Sequence, residues 1–120
     1  MEYIYTIPGV PSSLNKFAGR MNSWEYRSEK KEWTRRVYAC CMPRPEKPIC
    51  KARVEISYHF PTSHRHDPDN YAGKMILDGL VEAGILQDDS FNHIELTVRK
   101  AGVDKKRPRT VVRIEEVDNG

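Results

Sequence analysis

The sequence predicts one α+β domain over residues 1–120, with a small mixed or antiparallel sheet of about four strands and helices packed on one face. Three observations support this. The chain has 120 residues, a length that suits a single domain. Four segments alternate apolar and polar side chains as half-buried strands do, and two segments repeat apolar side chains as helices do. Their order is β-α-β-α-β-β, so the helices can cover one sheet face.

The first strand and the first helix are predicted from their apolar faces. Residues 2–7 place alternate apolar side chains on one side, and the proline, glycine and serine residues that follow predict a loop. Residues 23–42 predict a helix because their apolar residues recur at a period near 3.6. These residues are Tyr26, Trp33, Val37, Cys40 and Cys41. We expect both Trp24 and Trp33 to pack in the core rather than to stack on bases.

The rest of the chain predicts three strands and a second helix. Prolines after residue 42 stop the first helix, and residues 52–60 alternate without a break, which predicts a strand. A second helix is predicted over residues 70–83, with Gly84 as its stop. Residues 94–98 and 110–117 predict the last two strands, joined by a basic turn.

Composition excludes several classes of protein. Hydrophobic residues make up 38% of the chain and charged residues 31%, which is unlike both disordered and membrane proteins. No apolar run approaches the roughly 20 residues that span a bilayer. The N-terminus has no signal-peptide pattern. The three cysteines form no C-x-x-C pair, which favours a reducing, cytoplasmic location over a disulfide framework.

Charge is unevenly distributed along the chain. The net charge is +3, but residues 67–95 hold seven acidic residues against Lys74 alone. Residues 99–113 hold seven basic residues against one aspartate, and residues 20–36 hold six against three glutamates. An acidic block in a basic chain is consistent with clustered solvated faces. It is equally consistent with a polyanion-binding surface around a carboxylate metal site.

Two pairs of carboxylates flank the second predicted helix. Asp67 and Asp69 precede it in a loop, and Asp88 and Asp89 follow it. Like charges within a few ångströms repel each other, and a hard divalent cation relieves that repulsion. Because the set offers oxygen ligands and no thiolate, it favours Mg²⁺ or Mn²⁺ over zinc. We expect no organic cofactor.

Structural roles stay open for the same residues. The acids before the helix can cap it or interact with its dipole, and Asp88-Asp89 can form a turn. An EF-hand is excluded because Ala72 stands where that loop requires glycine. A zinc site built from the cysteines and histidines lacks a recognised ligand spacing.

Several segments together match one known pattern. They are Ile7–Lys16, the D-x-D-N motif Asp67–Asn70, Lys74, Asp78–Leu80, Asp88-Asp89 and the last two strands. This combination resembles the RusA-type Holliday junction resolvases, small endodeoxyribonucleases often carried by prophages. The resemblance covers nearly the whole chain, and the combination is specific although no single piece of it is.

The resemblance implies an activity and a set of site residues. Asp67, Asp69 and Asp89 match the family's essential metal-binding acids, Lys74 its essential lysine and Asp88 a further acid. The family's enzymes are Mg²⁺-dependent homodimers that cut paired strands symmetrically at a four-way DNA junction. The implied protein is therefore a crossover junction endodeoxyribonuclease of DNA recombination and repair. It would act in the bacterial cytoplasm, encoded by a bacterium, phage or prophage, with no membrane partner.

One spacing differs from the family pattern. Three residues separate Asn70 from Lys74, where the family usually has two. If the helix runs from Asn70, the extra residue rotates Lys74 about 100° away from the acids. If the helix begins after Ala72 or Gly73, the loop absorbs the extra residue. We favour the second alternative because the later spacings match the family.

Basic residues near the acids and in the two basic segments are predicted to hold DNA phosphates. They are Lys16, Arg20, Arg27, Lys30, Lys31, Arg65, Lys100, Lys105, Lys106 and Arg107. Such contacts supply affinity and register but little sequence information. The competing interpretation is a non-catalytic DNA- or RNA-binding module that keeps the fold and uses the acids as caps.

Overall fold

Four strands and two helices follow the predicted order. The computed structural model describes residues 1–20 and 23–117. The strands are β1 Glu2–Pro8, β2 Ala52–Phe60, β3 Ile94–Val103 and β4 Arg109–Glu116, and the α-helices are α1 Trp24–Cys40 and α2 Lys74–Glu82. Two short 3₁₀ helices, Leu14–Phe17 and Pro68–Tyr71, complete the elements. The predicted α+β class is confirmed.

The strands form one mixed sheet in the order β1-β4-β2-β3. The strand β4 runs antiparallel to both β1 and β2, whereas β3 runs parallel to β2. Parallel neighbours need a long crossover connection between them, because the chain must return to the end at which the first strand began. The segment from residue 61 to residue 93, which contains α2, is this crossover.

One face of the sheet carries the core. The strand β2 buries Val54, Ile56 and Tyr58 on this face, as its alternation predicts. The helix α1 adds Trp33 and Val37, both buried. The opposite face carries charged side chains that pair across strands, which include Arg53 with Glu115 and Arg113 with Glu2. The helices therefore cover one face, and the other stays open to solvent in the described chain.

The helix α1 begins and ends close to the predicted positions. The Ser23 side chain accepts a hydrogen bond from the Tyr26 backbone N–H and caps the helix. Trp33 is buried as expected, but the expectation for Trp24 is wrong, because its side chain is 74% exposed in the first turn. Trp24 lies two residues before the buried Tyr26, which is about 200° around the helix, so its side chain points away from the core. Farther along, α1 crosses α2 closely at Gly79, where a Cβ would lie 3.0 Å from Val37 Cγ2.

The second helix begins later than residue 70. Residues 68–71 form the 3₁₀ helix, and α2 starts only at Lys74. Gly73 separates the two helices with a φ of 84°, in the left-handed region that glycine adopts at little cost. The predicted boundary is therefore wrong by four residues, while the alternative in which the loop absorbs the extra residue is confirmed. The predicted stop at Gly84 is confirmed by its φ of 78°.

Neither helix of the described chain is long and apolar enough to cross a bilayer.

We predict that Gly73→Ala destabilises the protein by about 2–4 kcal/mol. The new Cβ would collide with Ile56 Cδ1, and alanine would also take an unfavourable positive φ. Gly84→Ala is the matched control, because Gly84 has a similar φ but no atom within 4 Å of an added Cβ. We expect it to cost only about 1 kcal/mol in urea unfolding. Equal losses in the two variants would contradict the packing of Gly73 against β2.

Candidate active site in the β2–β3 crossover

The D-x-D-N motif lies in the loop that leaves the end of β2. Asp67 precedes the 3₁₀ helix, and the Asn70 backbone N–H donates to its carbonyl oxygen over 3.0 Å. Its carboxylate is half-exposed, and Arg65 Nε donates to Asp67 Oδ1 over 3.0 Å. Asp69, two residues farther on, is exposed. Both carboxylates therefore face solvent, where a polyanionic ligand or a cation can reach them.

Aromatic rings anchor this loop to the sheet. The His66 ring stacks on Phe60, with centroids 3.8 Å apart and ring planes 10° apart. Tyr71 meets both rings edge-on, at 5.1 Å from Phe60 and 5.4 Å from His66. The residues on either side of the two aspartates are thus packed against the last residue of β2. This fixes the backbone of the motif even though its carboxylates are exposed.

A cleft of about 70 Å³ opens beside the anchored loop. Its walls are aromatic, and its rim carries Asp67, Arg99 and Lys100. Burial lowers the pKa of His66, and the nearby Lys100 and His64 lower it further. His66 Nδ1 is buried and has no hydrogen-bond partner within the described chain. The cleft combines one carboxylate and two cations on an apolar base.

The second acidic pair lies at the other end of the crossover. Leu86 pairs with Ile49 just before β2 begins, which brings Asp88 and Asp89 to the start of the sheet. The His93 ring links this segment to the residue range before β2. Its Nδ1 lies 2.7 Å from the Cys50 carbonyl oxygen, and its Nε2 lies 4.0 Å from Asp88 Oδ2. The Asp89 N–H and the Ser90 hydroxyl hold the pKa of the Asp88 carboxyl below its usual range, and His93 lowers it further.

The two acidic pairs lie apart in a single chain. Ile94 of β3 follows the Asp88-Asp89 segment, whereas Val98 lines the cleft beside Asp67. Four residues of strand between them correspond to about 13 Å. Within residues 1–20 and 23–117, no three acidic, histidine or cysteine side chains converge on a point that could hold a metal ion. The convergence expected from the sequence is therefore not formed within one chain.

The four carboxylates suit Mg²⁺ by their chemistry, but their positions in one chain do not form a complete site. Four carboxylates offer the hard oxygen ligands that this ion prefers. Mg²⁺ also keeps several waters and commonly needs only one or two carboxylates. The chemistry of the donors fits the ion, but the described chain forms no three-ligand site.

Lys74 lies at the first residue of α2 and pairs with an acid of the same helix. Its Nζ is 3.7 Å from Asp78 Oδ2, and Lys30 Nζ of α1 is 3.4 Å from the same oxygen. That oxygen is buried and accepts no hydrogen bond within the described residues. Asp78 therefore holds two lysines at the α1–α2 contact. The described structure shows no ion pair between Lys74 and Asp67 or Asp69.

Basic side chains surround the end of the sheet that carries the D-x-D-N motif. The β3–β4 turn begins there, because the Asp104 N–H donates to the Phe60 carbonyl oxygen over 2.8 Å. The Asp104 carboxylate accepts from the Arg107 and Lys106 N–H groups, which lowers its pKa and orders the turn. The predicted phosphate-binding residues Lys105, Lys106 and Arg107 are thereby exposed on a structured loop.

The other predicted basic residues lie around the loop and along α1. Arg65 and Lys100 flank the cleft. Lys16 belongs to the first 3₁₀ helix, which contacts the one that carries Asp69, and Arg20 donates to the Lys16 carbonyl oxygen over 2.7 Å. Arg27 and Lys31 are exposed on α1, and Lys30 points to Asp78. Arg65, Lys100 and Lys16 therefore lie near the motif loop, whereas Arg27 and Lys31 lie along α1.

Comparison with known proteins identifies the chain. It matches the family model described as Endodeoxyribonuclease RusA over residues 8–115, most of its 120 residues. The chain belongs to this family. The resemblance predicted from the sequence is confirmed, and RusA membership makes the protein a DNA endonuclease in broad terms. No curated protein sequence matches the chain.

Sequence analysis missed the aromatic anchor of the RusA motif. Phe60 was predicted only as the last residue of a strand, and His66 and Tyr71, in a loop and a short 3₁₀ helix, gave no periodic signal. The only available signal was the position of aromatic residues just before and just after the D-x-D-N motif. Asp78 was named as part of the family pattern, but its contact with Lys30 depends on the packing of α1 and could not be predicted.

We predict that Tyr71→Ala loosens the motif loop, whereas Tyr71→Phe keeps it. Alanine removes the ring that contacts both Phe60 and His66, and phenylalanine removes only the hydroxyl. Because Tyr71 is half-buried, we expect Tyr71→Ala to cost about 1–3 kcal/mol in urea unfolding. It should also speed proteolysis within residues 61–70 of the native protein. Equal behaviour of the two variants would show that the ring does not anchor the loop.

Proposed function

We propose that this protein is a Mg²⁺-dependent, structure-specific endodeoxyribonuclease that resolves four-way Holliday junctions in DNA recombination and repair. It would cut paired strands symmetrically. The RusA match over residues 8–115 is the observation that carries the proposal. The exposed, anchored D-x-D-N motif at a basic end of the sheet supports it, because a DNA nuclease needs reachable acids within a surface that attracts phosphates.

The four carboxylates are the proposed metal ligands. Asp67, Asp69 and Asp89 would hold the ion, with Asp88 as an additional acid, and Mn²⁺ would be able to replace Mg²⁺. A bound ion of this type polarises a phosphate oxygen and lowers the pKa of a water. The chain's own contribution is to hold Asp67 and Asp69 on a fixed backbone, since His66 and Tyr71 pack on either side of them.

Lys74 is proposed to stabilise charge on the scissile phosphate. Its position at the first residue of α2 leaves the side chain half-exposed near the motif loop. Asp78 restrains the ammonium group from one side, so fewer side-chain conformations need to be lost when a phosphate binds. A cation directed at developing negative charge is a common source of rate acceleration in phosphodiester hydrolysis.

Branched DNA is the proposed partner, and a homodimer the proposed assembly. The phosphate backbones would be held by the basic β3–β4 turn, by Arg65 and Lys100 beside the cleft, and by the basic face of α1. A four-way junction has approximate two-fold symmetry, so two identical subunits would present two identical sites to opposed strands. All three cysteines are free thiols, which supports a cytoplasmic location in a bacterium. The gene would be bacterial or carried by a phage or prophage.

We predict that Asp69→Asn abolishes cleavage of a synthetic four-way junction while junction binding stays equal or becomes tighter. The variant removes a proposed metal ligand and also one negative charge that faces DNA phosphates. Cleavage is measured on labelled junctions with and without Mg²⁺, with linear duplex of the same sequence as substrate control. Glu82→Gln is the protein control, because Glu82 is exposed on α2 and has no assigned role.

Two outcomes of this assay would contradict the proposal. Mg²⁺-dependent cutting by Asp69→Asn would remove the metal-binding role of that residue. Binding of the junction by the wild-type protein without cleavage under any divalent cation would favour a non-catalytic nucleic-acid-binding module instead.

We predict that Lys74→Ala lowers the single-turnover cleavage rate by about 10²–10³ while junction affinity changes little. The transition state would lose one charged donor, and the ground state would keep its other phosphate contacts. Lys51→Ala is the matched control, since Lys51 is an exposed lysine at the far end of β2. Saturating enzyme removes binding defects from the measured rate. A rate within about threefold of wild type would place Lys74 in an ion pair with Asp78 only, away from the scissile phosphate.

A further inference from the structure

The Asp78 carboxylate at the α1–α2 contact is shared by two lysines. Lys30 Nζ of α1 lies 3.4 Å from Asp78 Oδ2, and Lys74 Nζ of α2 lies 3.7 Å from the same oxygen. The Asp78 side chain is only 21% exposed, whereas both lysine side chains are half-exposed. Within the described residues, neither ammonium group forms a hydrogen bond with Oδ2. Two cations therefore compete for one buried carboxylate oxygen.

Helix packing fixes Lys30 and Asp78 on either side of this contact. Gly79, the residue after Asp78, lies against Val37 and Thr34 of α1. Lys30 is one helical turn before Thr34, so it lies along the same side of α1. The Lys30 ammonium group therefore reaches Asp78 from a helix whose position relative to α2 is set by close packing.

Lys74 occupies a helix position that does not favour a lysine. It is the first residue of α2, where the positive end of the helix dipole repels a cation, and the first turn contains no acid. A lysine four residues before an acid is also the less favourable order for a helical ion pair. Lys74 does, however, line a small cleft together with Asn70 of the D-x-D-N motif. Helix stability therefore gives no reason for a lysine at this position, whereas the neighbouring motif does.

The two lysines affect each other through the shared carboxylate. Their ammonium nitrogens are within about 7 Å of each other, a distance at which like charges repel. A buried carboxylate that loses its last cation is left as an uncompensated charge, which is strongly unfavourable. Lys30 therefore weakens the attraction of Asp78 for Lys74, and it would keep Asp78 paired when Lys74 moves to another anion.

We propose that Lys30 is a positioning residue of the nuclease site, which neutralises Asp78 so that Lys74 is free to bind the scissile phosphate. This inference rests on the proposed function, because Lys30 acts through the role proposed for Lys74. The sequence predicted Lys30 as a phosphate contact. With its ammonium group on Asp78, it affects the rate of cleavage rather than the affinity for DNA. In its absence, Asp78 retains Lys74 away from the substrate.

A double-mutant cycle on Lys30 and Asp78 tests this role. Lys30→Met removes the charge and keeps an aliphatic chain, so single-turnover cleavage of a four-way junction at saturating enzyme should slow about tenfold, with junction affinity within about twofold of wild type. In the Asp78→Asn background the same substitution should change the rate by less than about twofold, because no carboxylate is left to retain Lys74. Lys30→Arg keeps the charge and should restore the rate. Lys47→Met, at an exposed lysine between α1 and β2, is the control for charge removal.

Chemical labelling measures the same coupling without DNA or metal. The folded protein is treated with an amine-reactive acetylating reagent, and modification of Lys74 is followed by mass spectrometry of its peptides. A nearby carboxylate favours the charged, unreactive form of an amine, so Lys74 should react at least about twofold more slowly in Lys30→Met and faster in Asp78→Asn than in wild type. Urea unfolding verifies that each variant is folded. Lys30→Gln replaces Lys30→Met if the methionine variant does not fold.

Several outcomes would overturn the role of Lys30. A wild-type cleavage rate in Lys30→Met would do so, and so would a loss of rate that persists in the Asp78→Asn background. Weaker junction binding with a smaller salt dependence, at an unchanged saturated rate, would make Lys30 a phosphate contact instead. Failure of the proposed function has a different result: the wild-type protein would cut no junction, while the labelling of Lys74 would still follow the expected pattern. An active protein in which all variants label equally would contradict the role of Lys30 alone.

Discussion

The parallel pairing of β2 with β3 is the constraint on which the arrangement of this protein depends. Two parallel neighbours cannot be joined by a tight turn, so the chain leaves the end of β2, returns along the sheet through α2 and re-enters at the start of β3. Every acid of the proposed site lies on this return path. One acidic pair lies where the chain leaves β2, at one end of the sheet. The other pair lies where the chain enters β3, at the opposite end.

Local packing fixes the positions of the charged residues along this return path. The stacked rings at the end of β2 hold the first acidic pair, and the Asp104 carboxylate organises the basic turn at the same end. The α1–α2 contact, where a Cβ at Gly79 would crowd Val37, places Lys30 and Lys74 on one carboxylate. The acids and bases are therefore positioned by buried rings and by helix packing, while their charged groups stay in contact with solvent.

Sequence patterns predicted the fold class, the order of the elements, the whole of β2 and the family. They did so because these features depend on local periodicity and on motif spacing. The direction of β3 and the separation of the two acidic pairs depend on which strands become neighbours, and periodicity carries no such information. The late start of α2 follows from Pro68 and Gly73, whose local geometry outweighs an apolar pattern that continues through them. The exposure of Trp24 is likewise set by the rotation of α1 on the sheet.

The left-handed conformation of Gly73 has a consequence for comparing this protein with its relatives. The extra residue between Asn70 and Lys74 is taken up where the backbone reverses its twist, ahead of the first turn of α2. Helical register from Lys74 onward is therefore untouched, and Asp78 keeps its place one turn later. An alignment gap belongs between Asn70 and Lys74, and a gap placed inside α2 would assign residues of the wrong helix face to one another.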